Sequence, residues 1–273
     1  PSYNSKDIPL HEAKNYIFNR GSGLLIPMLY NQFFDELNLN EQNKINFSIE
    51  IDKAIMAIGD SILIQNKLYH YSYQERKLRL KKMSKTDFSE FQDLKEKYNL
   101  SINNKLSIDK QKNNFKNLSI DNMNLKLNQT LILFEKFWNY FECKRLNIEI
   151  QNWEIYFDIC SNQKNLNNLS FLSRIFSLAK RNGFFKILIN KNKRKLLSKC
   201  SNEFLLSILP FLLFSIRENM YDFKMIEFAC KNLDINFDKN NLKKSWKDCT
   251  IKYLSIWHPE GESGRISKVL ESI

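Results

Sequence analysis

KAIMAIGDSILIQNKLYHYSYQERKLRLKK, residues Lys53–Lys82, is the stretch on which the fold reading turns. Upstream, Ile45, Ile49, Ile51, Ile55, Ile58, Ile62 and Leu63 recur at helical spacing, so Asn43–Gln65 is predicted as one long buried helix. Gly59 and Asp60 interrupt its apolar run, and neither is a residue that helix propensity favours. Lys67–His70 reads as the turn leaving the helix, and Tyr71–Met83 as a strongly basic second helix.

Working outward, Asp7–Glu12 carries a helix start with Pro9 in the first turn. Asn19-Arg-Gly-Ser-Gly23 is expected to break or bend this helix, with Leu24–Leu37 resuming it. A further helix is expected over Thr86–Tyr98. Residues 99–128 are rich in Asn, Lys and Ser and read as a linker or insertion between two domains, 1–98 and 129–273. The second half predicts helices at Thr130–Cys143, Asn147–Ser161, Leu169–Lys180, Phe184–Leu197, Asn202–Glu218, Asp222–Asn232, Asn240–Leu254 and Ile266–Ile273. Period-2 alternation is rare, so the fold class is all-α: a multi-helix orthogonal bundle, as one body or two helical subdomains.

Composition narrows the function classes. With 6 Gly and 5 Pro in 273 residues, the chain lacks the glycine that phosphate-cradling α/β enzymes spend on loops. The five cysteines are irregularly spaced without a C-x-x-C pair, which indicates reduced thiols and a cytoplasmic protein. The most apolar run, Phe204–Ile216, is shorter than the ~18 residues of a membrane span and contains Pro210. It reads as a core helix. The three histidines, His11, His70 and His258, are too far apart for a zinc pattern, so neither a metal nor another cofactor is expected.

A net charge of +12 points to an anionic partner, nucleotide or nucleic acid. The abundance of Lys, Asn and Ile also fits the codon bias of an AT-rich genome. Basic clusters lie at Arg76–Lys82, Lys191–Lys199 and Lys239–Lys247. On one face they make a nucleic-acid surface; scattered, they are solvated helix faces.

Chemistry concentrates around Asp60. Set among isoleucines, its carboxylate must be paired, capped or on the wet side of the helix, and Arg76, Arg79 and Arg20 are its natural partners. It is either a packing ion pair or a ligand carboxylate. Tyr69, His70 and Tyr73, with Arg76 one turn on, can stack on a base or sugar and bind a phosphate; equally, His70 can cap the helix while the tyrosines pack.

Phe18-Asn-Arg-Gly-Ser-Gly-Leu-Leu25, Ala57-Ile-Gly-Asp60 and Leu68-Tyr-His-Tyr-Ser-Tyr-Gln-Glu-Arg76 together resemble the helical region that follows the catalytic domain in some bacterial nucleotidyltransferase-like proteins. The resemblance covers residues 9–80. It implies a helical accessory region that packs on a catalytic nucleotidyltransferase domain and helps bind substrate. That superfamily's metal-binding signature is a Gly-Ser followed by Asp-x-Asp or Asp-x-Glu on a strand. Here Gly21-Ser22 is followed by Asp35-Glu36, adjacent carboxylates in a helical pattern that point ~100° apart. No catalytic residue carries over; the resemblance implies a catalytic nucleotidyltransferase domain as partner, and the sequence leaves open whether one lies upstream of Pro1.

The functional expectation is therefore a non-catalytic accessory or substrate-binding region for a nucleotide or other anion, contacting it through Arg20, Asp60, Tyr69, His70, Tyr73 and Arg76. The alternative is a basic helical nucleic-acid-binding protein.

Overall fold

The computed structural model describes residues 8–33, 40–107, 115–162 and 202–257. Among them the chain is all-α, with nine helices and one two-stranded hairpin. The helices are α1 (Leu10–Gln32), α2 (Glu41–Gln65), α3 (Tyr73–Lys82), α4 (Phe91–Leu106), α5 (Ile120–Leu146), α6 (Trp153–Asn162), α7 (Asn202–Leu213), α8 (Phe223–Leu233) and α9 (Leu242–Trp257). Between α7 and α8 the chain turns through β1 (Ile216–Arg217) and β2 (Met220–Tyr221), with Glu218 and Asn219 both at positive φ.

The chain divides into two compact units. The first holds α1–α5 and the Ile216–Met220 segment; the second holds α6–α9. The division falls at Ile148/Glu149, not inside 99–128. Most of that expected linker is helical: α4 continues to Leu106 and α5 begins at Ile120, where the Ser119 hydroxyl accepts from the Asn122 amide at 3.3 Å. The helices expected at Leu169–Lys180, Phe184–Leu197 and Ile266–Ile273 lie outside the described residues.

In the first unit α2 is the central element, packed against α1, α4 and α5. The Asn40 side chain caps it by accepting from the Asn43 amide at 2.9 Å. From Ala54 to Ile64 every residue of α2 is buried. The expected break at Asn19–Gly23 does not occur; α1 runs through it unbroken. Gly21, Ser22 and Gly23 are buried, and the Ser22 hydroxyl folds back onto the Phe18 carbonyl at 2.9 Å. A Cβ on Gly23 would lie 2.9 Å from the end of the Glu50 side chain of α2. Helix packing outweighs the low propensity of the two glycines here.

A second polar contact locks this unit. Asp52 of α2 accepts from Ser101 Oγ at 3.1 Å and Asn104 Nδ2 at 2.9 Å, both on α4, and pairs with Lys126 Nζ of α5 at 2.9 Å. One buried carboxylate thus fixes the register of three helices.

The core of the second unit is aromatic. Phe211 of α7 stacks on Phe228 of α8 with ring centroids 4.3 Å apart, and Phe157 of α6 meets Phe228 edge-on at 5.1 Å. Trp246 of α9 donates its indole N–H to the Leu212 carbonyl at 2.9 Å, satisfying an acceptor in the last turn of α7. Helix α7 occupies the core, as its apolar sequence requires. Among the described residues no helix is long and apolar enough to cross a membrane.

Candidate functional site

Helix α2 ends in a tight reversal. Lys67 adopts a left-handed conformation (φ 59°), and the Leu68 amide returns to the Leu63 carbonyl at 2.7 Å. This turn carries Tyr69 and His70 back alongside the helix. The Ser72 amide donates to His70 Nδ1 at 3.1 Å, so His70 satisfies a backbone N–H at the approach to α3. Its ring lies on Tyr71, with centroids 4.2 Å apart. Arg79 steadies the same turn: its guanidinium donates to the carbonyls of Leu68 and Tyr69 at 3.1 and 3.3 Å, and to Glu75 at 2.7 Å.

Between α2 and α3, Arg76 Nη1 donates to Asp60 Oδ2 in a buried ion pair. Of the three cations considered as partners, Arg76 is the one in hydrogen-bonded contact with Asp60. The other carboxylate oxygen, Oδ1, accepts from the Tyr98 hydroxyl of α4 at 2.6 Å. Residue 59 makes this possible: a Cβ there would sit 2.2 Å from Cδ2 of the Tyr98 ring. The Gly-Asp pair is therefore one device, with the glycine admitting the ring whose hydroxyl the neighbouring carboxylate receives.

The electrostatics follow from burial. Desolvation pushes the Asp60 carboxyl up to about 6, against the opposing pull of the Arg76 charge, the Tyr98 hydrogen bond and the nearby Arg20. Burial disfavours the Arg76 charge, yet the adjacent Asp60 carboxylate leaves its pKa raised. Burial likewise drives the Tyr98 and Tyr69 phenols upward, so both stay protonated as donors.

Around this pair stands an aromatic rim. The Arg76 guanidinium carbon lies 4.1 Å from the Tyr73 ring centroid and 5.0 Å from that of Tyr69. Tyr16 of α1 lies close to Tyr69, and Arg20 of the same helix lies over the Tyr16 ring at 5.9 Å. Arg20, Tyr69, His70 and Tyr73 are half-buried, whereas Asp60 is fully buried. Arg76 Nε is buried with no hydrogen-bond partner.

The six residues singled out from sequence all belong to the first unit. Asp60 and Arg76 form the centre; Tyr69 and Tyr73 flank it; Arg20 reaches it electrostatically; His70 is held at the approach to α3. Sequence reading missed Tyr16 and Tyr98. Tyr16 lies one helical turn before Arg20, a spacing that was available as a signal. Tyr98 lies 38 positions beyond Asp60 and gives no local signal.

Chemically, the centre is closed. Both Asp60 oxygens are engaged, so this carboxylate is not placed to take a proton from a substrate. Among the described residues no cluster of His, Cys, Asp or Glu is arranged to hold a metal ion. The rim is different in kind, because it holds more cation than carboxylate. Arg20 has no carboxylate partner among the described residues.

The Arg76–Lys82 cluster, by contrast, is largely spoken for. Arg76 pairs with Asp60, Arg79 with Glu75 and the turn carbonyls, and Lys77 donates to Asn103 at 2.7 Å. Lys191–Lys199 lies outside the described residues.

Comparison of the chain with protein-family models, with curated proteins and with solved structures gives no match.

Proposed function

We propose that this chain is a non-catalytic helical binding region whose α1–α3 rim receives a nucleotide or a similar anion carrying a planar group. The observation that carries this reading is the composition of the rim. Two guanidinium groups, flanked by the rings of Tyr16, Tyr69 and Tyr73, stand near a single carboxylate whose two oxygens are both already engaged. The surplus positive charge sits on Arg20, half-exposed at the edge. Its planar fork suits a phosphate, and the neighbouring rings suit a base or sugar face.

This reading agrees with the resemblance to the helical region of nucleotidyltransferase-like proteins, in which a separate catalytic domain performs the chemistry. The free thiols among the described cysteines accord with a cytoplasmic setting.

Arg20 is the residue to test, because Arg76 is part of the fold. Arg20→Gln should weaken binding of ATP about tenfold, in line with losing one charge-assisted contact. Its thermal unfolding midpoint should stay close to that of the parent chain, since the side chain is half-exposed. Titration by calorimetry at low salt makes the measurement. Equal affinity for the two proteins, or no binding by either, would overturn the proposal.

A further inference from the structure

We infer that Cys230 and Cys249 form a dithiol site that a hydroperoxide closes into an intramolecular disulfide joining α8 to α9. The two sulfurs are 3.1 Å apart and both residues are fully buried. They lie nineteen positions apart, on helices that pack directly against each other within the second unit. A disulfide needs the sulfurs to close by about 1 Å, to near 2.05 Å. Sequence spacing hid this site: an even or motif-like arrangement is what makes cysteines legible as a pair, and here the fold alone brings them together.

Either S–H can donate to the other sulfur; the accepting sulfur is eased toward the thiolate and attacks, while its neighbour resolves. With Cys230 as the attacking sulfur, the chemistry runs as two displacements. Cys230 thiolate attacks the terminal oxygen of the hydroperoxide and the O–O bond breaks. The leaving alkoxide takes up the thiol proton as an alcohol, and Cys230 becomes a sulfenic acid. Cys249 sulfur then attacks the sulfenic sulfur; the S–O bond breaks and hydroxide leaves with the Cys249 proton as water. Two thiols and one hydroperoxide thus give one disulfide, one alcohol and one water, the two electrons going to the peroxide. Burial of both sulfurs, with the negative charges of Asp248 and Glu227 nearby, makes the reaction slow and dependent on opening of the helix pair.

The test is peptide mapping of the full chain after hydrogen peroxide treatment and alkylation of the remaining thiols. The expected product is a Cys230–Cys249 cross-linked peptide, lighter than its reduced parts by the two hydrogens removed and restored by dithiothreitol. The same oxidation in denaturant should scatter the pairing among the cysteines. Oxidised chain should also melt about 5–10 °C higher, because the bond constrains the unfolded second unit. In Cys249→Ser, Cys230 should stop at the sulfenic acid, trapped by dimedone. Half-buried Cys143 is an internal control for general oxidation. Oxidation of Cys143 while Cys230 and Cys249 remain alkylatable as thiols would overturn the inference, and so would a dominant disulfide between any other pair.

Discussion

Replacing Arg76 with methionine is expected to remove about 3–5 kcal/mol of folding stability at pH 7.5, the usual cost of leaving one member of a buried ion pair without its partner. Methionine keeps the apolar stem between Tyr69 and Tyr73 and deletes the charge. The loss should depend on pH, and the sign follows from Asp60. Its carboxyl sits at about 6 in the fold against an ordinary 3.8, so the stability it contributes is full below about pH 4 and declines as pH rises through 6. Without Arg76 the carboxyl loses the charge that opposes its burial, and its pKa climbs further. The variant therefore goes on losing stability above pH 6, where the parent chain has levelled off. Urea unfolding from pH 5 to 8 should show the difference between the two proteins smallest at pH 5 and widening upward. A constant difference would mean that Arg76 contributes only packing. In Asp60→Asn combined with Arg76→Met no charge remains buried, so most of the loss at pH 7.5 should be recovered.

Gly59→Ala should cost about 3 kcal/mol or more, although helix propensity alone would make it a gain of about 1 kcal/mol. An added Cβ would meet Cδ2 and Cε2 of Tyr98 at 2.2 and 2.4 Å, and that ring is only 1% exposed and tethered through its hydroxyl. The ring must shift, and Asp60 Oδ1 then loses its donor inside the core, which adds to the steric cost. Gly23 differs in its surroundings: the atom met there is the end of the flexible Glu50 side chain. Thermal or chemical unfolding of Gly59→Ala decides between the two opposing effects by sign alone. A variant as stable as the parent, or more so, would remove Gly59 from the account.

The helical class was legible in the sequence because apolar residues recur at helical spacing from Ile45 to Leu63, and α2 covers that stretch, with α1, α4 and α5 burying all of its residues from Ala54 to Ile64. A demand for a partner at Asp60 was legible too, since a lone carboxylate among isoleucines calls for a cation, but spacing left Arg76, Arg79 and Arg20 open and the fold selects Arg76. Two features of the sequence mislead for a shared reason: packing, not composition, decides the local structure there. Gly21 and Gly23 suggested a break, yet both are buried inside a continuous helix that packs on α2. The Asn-rich 99–128 segment suggested a linker, but Asn99, Asn103, Asn104 and Lys105 lie on α4 and Asn122, Asn124, Lys126 and Asn128 on α5, helices whose apolar positions (Ile102, Met123, Leu127) are buried. That second misreading concealed Asp52 as well. Its partners Ser101, Asn104 and Lys126 all fall inside the supposed linker, so a carboxylate that ties three helices together read as an ordinary charged position. Tyr98 stayed hidden because contacts between distant helices leave no trace in local spacing.

The central claim is that the edge of the buried pair, not the pair itself, is where this chain meets an anion. The most direct measurement is a titration of the isotope-labelled chain with ATP, followed by amide and arginine Nε–H chemical shifts. The account predicts that the largest changes fall together on Arg20, Tyr69, His70 and Tyr73, with the Arg20 Nε–H moving at the same ATP concentration. Shifts confined to the lysines at the end of α3 or the start of α9, or no shifts at low salt, would contradict it.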